Sequence, residues 1–110
     1  MKHIHYLDEE PVPVTEAGAK GINLRWVIGE KDGAENFFMR IISFEPGAVS
    51  PAHSHPYEHQ TYIIRGKGTV EVDGRTVELK AGDVAFIPPD AHHCFKTEGR
   101  MEMICLVPKT

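Results

Sequence analysis

The sequence predicts an all-β domain that closes into a barrel or folds two sheets together. Three observations carry this. The 110 residues include 10 glycines and 8 prolines, which punctuate the chain at short intervals. The runs between them are rich in Val, Ile, Phe, Tyr and Thr, side chains that fit a pleated surface. No segment sustains a helical period, so eight to ten short strands must hide their edges by closing on one another.

The elements can be placed in order. Asn23–Ile28 is a strand closed by Gly29 and a turn at Lys31-Asp32-Gly33. Asn36–Phe44 follows and ends at Pro46-Gly47. Ser50–His55 is short and polar, and His59–Ile64 runs to a turn at Gly66–Gly68. Thr69–Val72 and Thr76–Leu79 flank Asp73-Gly74, a pair suited to the primed turns of hairpins. Val84–Ile87 is stopped by Pro88-Pro89, and Cys94–Thr97 and Met101–Val107 complete the set. Glu16–Gly21 is the one place for a helical turn, weakened by Gly18. Near the start, His3–Leu7 alternates polar and apolar residues, a pattern that would let it extend a partner's sheet. A homodimer is expected, since small domains bury a modest share of their surface.

Composition excludes several classes. The chain is one domain in size, with 41% hydrophobic and 25% charged residues, as in a folded soluble protein. A net charge of −4 with scattered Lys and Arg offers no footprint for nucleic acid. No apolar run approaches the roughly 18 residues of a membrane span, and MKHIHYLDEE lacks the apolar stretch of a signal peptide, so a cytoplasmic location is the default. Two cysteines, Cys94 and Cys105, are too few for a disulfide scaffold and are expected as reduced thiols.

The chemistry lies in the histidines. There are seven, and three fall in His53-Ser-His55-Pro-Tyr-Glu-His59. Residues two apart on an extended chain point to one face, so His53 and His55 aim at a common space. Pro56 breaks the segment and His59 opens the next strand. Neighbouring strands can thus converge three imidazoles, the commonest metal ligands. Glu58, one residue out of step with His59, points away.

These residues resemble the two motifs of the cupin family. Gly47, five residues, His53-x-His55, three residues, His59, six residues and Gly66 match the first. Gly82, five residues, Pro88-Pro89-Asp90, two residues and His93 match the second. His59 stands where the family usually has Glu, Asp90 where a turn Gly is usual, and Thr97 where Asn is usual. Asp tolerates the left-handed conformation better than most residues. The resemblance implies a double-stranded β-helix, or jelly roll, as one cupin domain over residues 1–110, with N-terminal strands in 1–45 and the barrel core in 46–107. It also implies a metal held by His53, His55, His59 and His93, like the small manganese cupins that use four imidazoles. His93 is selected over His92 by the motif spacing. His3 and His5 are expected to be exposed.

Four neutral ligands leave the full charge of a divalent ion in place and relatively favour the lower oxidation state. Manganese is the expected ion, with iron, nickel, zinc or copper as alternatives. Alternation along the strands suggests a pocket walled by Arg40, Phe44, Tyr57, Thr61, Phe95, Met103 and Cys105, suited to a small-molecule substrate. Arg40, set in an apolar strand, needs a partner. That partner is a protein acid such as Glu45 or Asp83, or a substrate carboxylate. The favoured function is a metal-dependent oxidoreductase, dioxygenase-like, acting on a small organic molecule. A redox-neutral enzyme on sugars or uronates, and a binding domain without chemistry, are the alternatives.

Overall fold

The computed structural model describes residues 1–109. Eight strands build it: β1 (Val12–Pro13), β2 (Lys20–Ile28), β3 (Phe37–Val49), β4 (His59–Val72), β5 (Arg75–Lys80), β6 (Val84–Ile87), β7 (His93–Lys96) and β8 (Met101–Pro108). Every pairing is antiparallel. Short 3-10 turns at Tyr6–Asp8 and Glu30–Asp32 are the helical pieces among the described residues. No helix there is long and apolar enough to cross a membrane.

The barrel closes because two strands serve both of its sides. β3, 13 residues long, pairs with β2 and β8, and at Val49 it meets Lys96 of β7. β4, 14 residues long, pairs with β6 and β8 through its first half and with β5 and β7 through its second. Alternation then sorts the side chains. Phe38, Ile42 and Phe44 of β3 and Met101, Met103, Cys105 and Val107 of β8 turn inward, joining Ile63, Val70, Leu79, Ile87 and Phe95. Burying side chains such as Ile63, Ile87 and Met103 contributes about 1.5–3 kcal/mol each.

Thr97 ties the bend of β3 to the end of β7. Its hydroxyl accepts from the Ala48 N–H at 3.2 Å and donates to the Glu45 carbonyl at 3.0 Å. The residue that stands for Asn in the family pattern therefore clamps the Pro46-Gly47 bulge. Asp73-Gly74 turns the β4–β5 hairpin with φ of 48° and 83°, as a primed turn requires.

Five sequence expectations are corrected. The first is Ser50–His55, which is a loop touching the sheet at one bridge, His53 to His93, because Pro51 and Pro56 cannot donate to a ladder. Pro46-Gly47 does not end β3, which bulges there and continues to Val49. Gly66–Gly68 is not a turn either. β4 runs through it, and the glycines are needed because the Arg100 and Lys96 carbonyls pass against the strand. Glu16–Gly21 holds a single tight turn, Ala19 N–H to Glu16 O at 3.0 Å, before β2 begins at Lys20. One turn cannot repay helix nucleation. Lastly, His3–Leu7 does not form a strand. Tyr6–Asp8 coils into a 3-10 turn, with the His5 ring accepting from Leu7 N–H at 3.2 Å and Lys2 donating to the Val27 carbonyl at 2.7 Å.

The close passage at Gly66 yields a prediction. A Cβ there would lie 2.0 Å from the Arg100 oxygen, and φ is +80°. Gly66→Ala should therefore lower unfolding stability by more than about 2 kcal/mol. Gly47→Ala has a similar φ of +75° but open space around it, and should cost only about 1 kcal/mol. Urea titration of the two variants measures the difference.

Candidate metal centre

Four histidines reach one cavity from three places in the chain. His59 opens β4 and faces inward, 5% exposed, because Thr61 and Ile63 beyond it share that face. His93 opens β7, 4% exposed. His53 and His55 come from the loop between β3 and β4, and the bridge to His93 docks that loop on β7. Ring centroids are 4.2 Å apart for His53–His55, 5.0 Å for His53–His93, 5.0 Å for His59–His93 and 5.2 Å for His55–His59. The donor atoms of His53, His55 and His93 lie within 4.8 Å of one another, close enough for one ion; His59 is not inside that limit, although its ring lies beside those of His55 and His93.

Each ring is oriented by a neighbour. His93 Nδ1 is 3.0 Å from the Ala91 carbonyl, which can only accept, so Nδ1 carries the proton and Nε2 keeps its lone pair. Glu16 lies 3.4 Å from His53 Nδ1 and sets that ring the same way. Tyr57 stacks on His55, with planes 2° apart and centroids 4.9 Å apart. His59 Nδ1 faces Arg40 Nη2 at 3.4 Å and Cys105 Sγ at 3.7 Å. Burial lowers the pKa of His55 and His93, and it lowers His59 to about 3 with further help from the Arg40 charge. These imidazoles are neutral at neutral pH, the state that a ligand needs.

Two features fit this set to a metal ion. His53 Nε2 and His55 Nε2 stand 3.1 Å apart, about the separation of two donors at right angles with bonds of about 2.1 Å. His59 Nε2 is buried and has no hydrogen-bond partner. A buried nitrogen without a partner costs stability, and coordination would remove that cost.

The cavity that these rings line holds about 250 Å³, and Ile22, Leu24, Ile42, Phe44, Phe95 and Met103 form its apolar wall. Of the expected wall residues, Arg40, Phe44, Tyr57, Phe95, Met103 and Cys105 line it. Thr61 does not; its hydroxyl donates to the Ala85 carbonyl at 3.2 Å, which takes it out of the wall. The expected pairing of Arg40 with Glu45 or Asp83 is also corrected. Glu45 pairs with Arg100 at 2.9 Å and Asp83 with Lys80 at 3.3 Å. Glu16 and Val14 were not foreseen; they arrive with the chain that leads into β2, and no local spacing signals them. Glu58 turns outward and accepts from Gln60 at 2.9 Å, and His92 is exposed. Cys94 and Cys105 are free thiols, both buried. A larger hollow of about 760 Å³ lies by Lys67, Lys80 and Lys96 with Glu78, Asp83 and Glu98. Its charged side chains alternate with glycines and small residues such as Ala48 and Thr69, and none of the histidines lines it.

Comparison with known proteins agrees with this geometry. The profile of the cupin domain family matches residues 40–107. The solved structure of the polyketide cyclase RemF from Streptomyces resistomycificus superposes with a TM-score of 0.93 at 31% identity, covering 98% of this chain and 79% of that one. The polyketide synthase CurC of Streptomyces cyaneus is 35% identical over 71 residues, 64% of this chain and 46% of that protein. The dimethylsulfoniopropionate lyase DddW of Ruegeria pomeroyi is 29% identical over 93 residues, 81% of this chain and 61% of that protein. The chain thus spans about half the length of the curated relatives it matches. With the jelly-roll barrel, both histidine motifs and a family match over most of its length, the chain belongs to the cupin family.

Proposed function

We propose that this cupin is a metal-dependent enzyme in which His53, His55, His59 and His93 hold one divalent transition ion, and that it cyclises a small, largely apolar polycarbonyl compound. The observation that carries this reading is the cavity, which combines four imidazoles with a wall of Ile42, Phe44, Phe95 and Met103. The likeness to a polyketide cyclase over 98% of the chain supports it. Manganese stands first among the candidate ions, ahead of iron, nickel, zinc and copper.

When bound, the ion supplies Lewis-acid polarisation of a carbonyl oxygen, which acidifies the adjacent C–H. The chain's residues do the rest. The apolar wall strips water from the substrate and orients it. Glu16, the Ala91 carbonyl and Tyr57 hold His53, His93 and His55 in place. His59 would bind the ion through its unpartnered Nε2, and its Nδ1 would then keep the proton, with the Cys105 sulfur at 3.7 Å as acceptor. Cyclisation joins an α-carbon to a carbonyl carbon and loses one water, with no oxidant consumed.

The oxidative reading is the second, favoured by the neutrality of a four-imidazole donor set. A uronate-type site is disfavoured. It would want several basic and amide groups, whereas Arg40 is the one cation in the lining and Gln60 turns outward to Glu58. A homodimer is also part of the proposal. Phe37, Tyr62, Val84 and Phe86 are exposed on the outer face of the sheet, beside half-buried Met39, Ile104 and Leu106, and together they offer an apolar face to a second copy.

Three measurements follow. Elemental analysis should find that His53→Ala, His55→Ala, His59→Ala and His93→Ala each lower bound metal at least about tenfold, while His92→Ala retains it; retention by His59→Ala would remove His59 from the ligand set. Metal-loaded protein incubated with linear β-polyketones should give products lighter by one water, with no oxygen uptake. Oxygen consumption with oxygenated products would favour the oxidative reading instead. Light scattering should give the mass of a dimer, and Val84→Lys with Phe86→Glu should give that of a monomer.

A further inference from the structure

Arg40 occupies an inward position of β3, between Phe38 and Ile42, where an apolar residue would pack without bringing a charge. Its register partners are Trp26 on β2 and Cys105 on β8. A guanidinium placed here gives up hydration and needs an anion in return. Among the described residues it has no carboxylate within ion-pairing distance, since Glu45 and Asp83 are held by Arg100 and Lys80. Glu16, the one acid of the lining, is engaged with His53 at 3.4 Å.

The contacts that Arg40 does make leave its charge uncompensated. Nη2 donates to Cys105 Sγ at 2.8 Å and lies 3.4 Å from His59 Nδ1. Burial raises the Cys105 thiol above its usual range despite the Arg40 charge, so the sulfur is neutral, and so is His59. The Trp26 ring at 5.4 Å offers only its π face. Nε is buried with no hydrogen-bond partner at all. A guanidinium presents its donors as a planar fork that matches a carboxylate; one arm of that fork is unused, and Arg40 is part of the wall of the histidine cavity.

We infer that Arg40 is the anchor for a carboxylate borne by the substrate, held in the same cavity beside the histidine cluster. The inference rests on reading that cavity as the substrate site, and it narrows the substrate class to an apolar polycarbonyl acid. Arg40 sits one imidazole away from the cluster, across His59, so the substrate's acid end and its reacting carbonyl would be held at neighbouring points of one wall. The apolar remainder fills the space lined by Phe44, Phe95 and Met103.

The test uses a matched pair of probes, 2-naphthoate and 2-naphthamide, titrated into the full chain and followed by NMR. In metal-free protein the carboxylate should bind at least about tenfold more tightly than the amide, the margin of a charge-assisted hydrogen bond, and should shift the Arg40 Nε–H resonance. Arg40→Met should abolish the preference and Arg40→Lys should retain part of it, with bound zinc unchanged in both. Equal affinity for the two probes in the wild type, or a preference that survives in Arg40→Met, would overturn the inference. If Arg40→Met fails to fold, the wild-type ratio and the Nε–H shift decide alone. The metal-dependent reading fails separately. A chain that prefers the carboxylate but takes up no metal retains the Arg40 site and loses the metal centre, whereas one that takes up metal without preferring the carboxylate does the reverse.

Discussion

The sharing of β3 and β4 between the two sides of the barrel is the constraint on which the rest of the structure depends. A chain of this length has too few strands to build two complete sheets and cap both. It solves the problem by making two strands long enough to be paired twice, first with β8 and then with β7. Each must change course midway, β3 at its Gly47 bulge and β4 at Gly66–Gly68, where the residues joining β7 to β8 press against it. The inward side chains of each wall therefore meet those of the opposite wall. The histidine centre inherits this arrangement. His59 begins the shared strand β4, His93 begins β7, and the loop that carries His53 and His55 is pinned across the opening between them.

Holding several imidazoles together in an apolar cavity is costly unless each is neutral and correctly oriented. Burial keeps His55, His59 and His93 neutral, and orientation comes by unlike means: a main-chain carbonyl for His93, a carboxylate for His53, an aromatic stack for His55 and a thiol for His59. The lower polarity around His59 follows from its depth. Among the described residues no anion contacts it, and the charge beside it is the cation Arg40. The centre is therefore graded, with its carboxylate support at the rim, where Glu16 is largely solvated, and uncompensated positive charge within.

Much of this was legible in the sequence, for reasons that can be named. β6 has the predicted bounds, and the β4–β5 hairpin turns where Asp73-Gly74 said it would, because local turn chemistry decides both. The grouping of His53 with His55 follows from two-residue alternation, although the segment is an extended loop and not a strand. The period belongs to extended backbone, paired or not. Gly66–Gly68 was misread because a glycine that permits a close approach looks the same in sequence as one that permits a turn. Glu16 and the fate of Arg40 were hidden for another reason. Both depend on which distant strand lies opposite, and alternation gives a face but not a neighbour.

The pairing of β3 with β8 joins residues 37–44 to residues 101–108, with nearly the whole barrel in between. Such a contact gains nothing until a very long loop has closed, so its entropy cost falls early and its reward late, and a chain built this way folds slowly. During synthesis β3 and β4 emerge well before β8, and each waits with an unpaired, apolar edge. Until β8 arrives, Arg40 lacks the sulfur opposite it, and the wall around His59 lacks Met103 and Cys105. The dry enclosure that keeps the imidazoles neutral thus belongs to the closed barrel alone, and a metal ion that meets the nascent chain finds histidines but not yet the cavity that would make them a site.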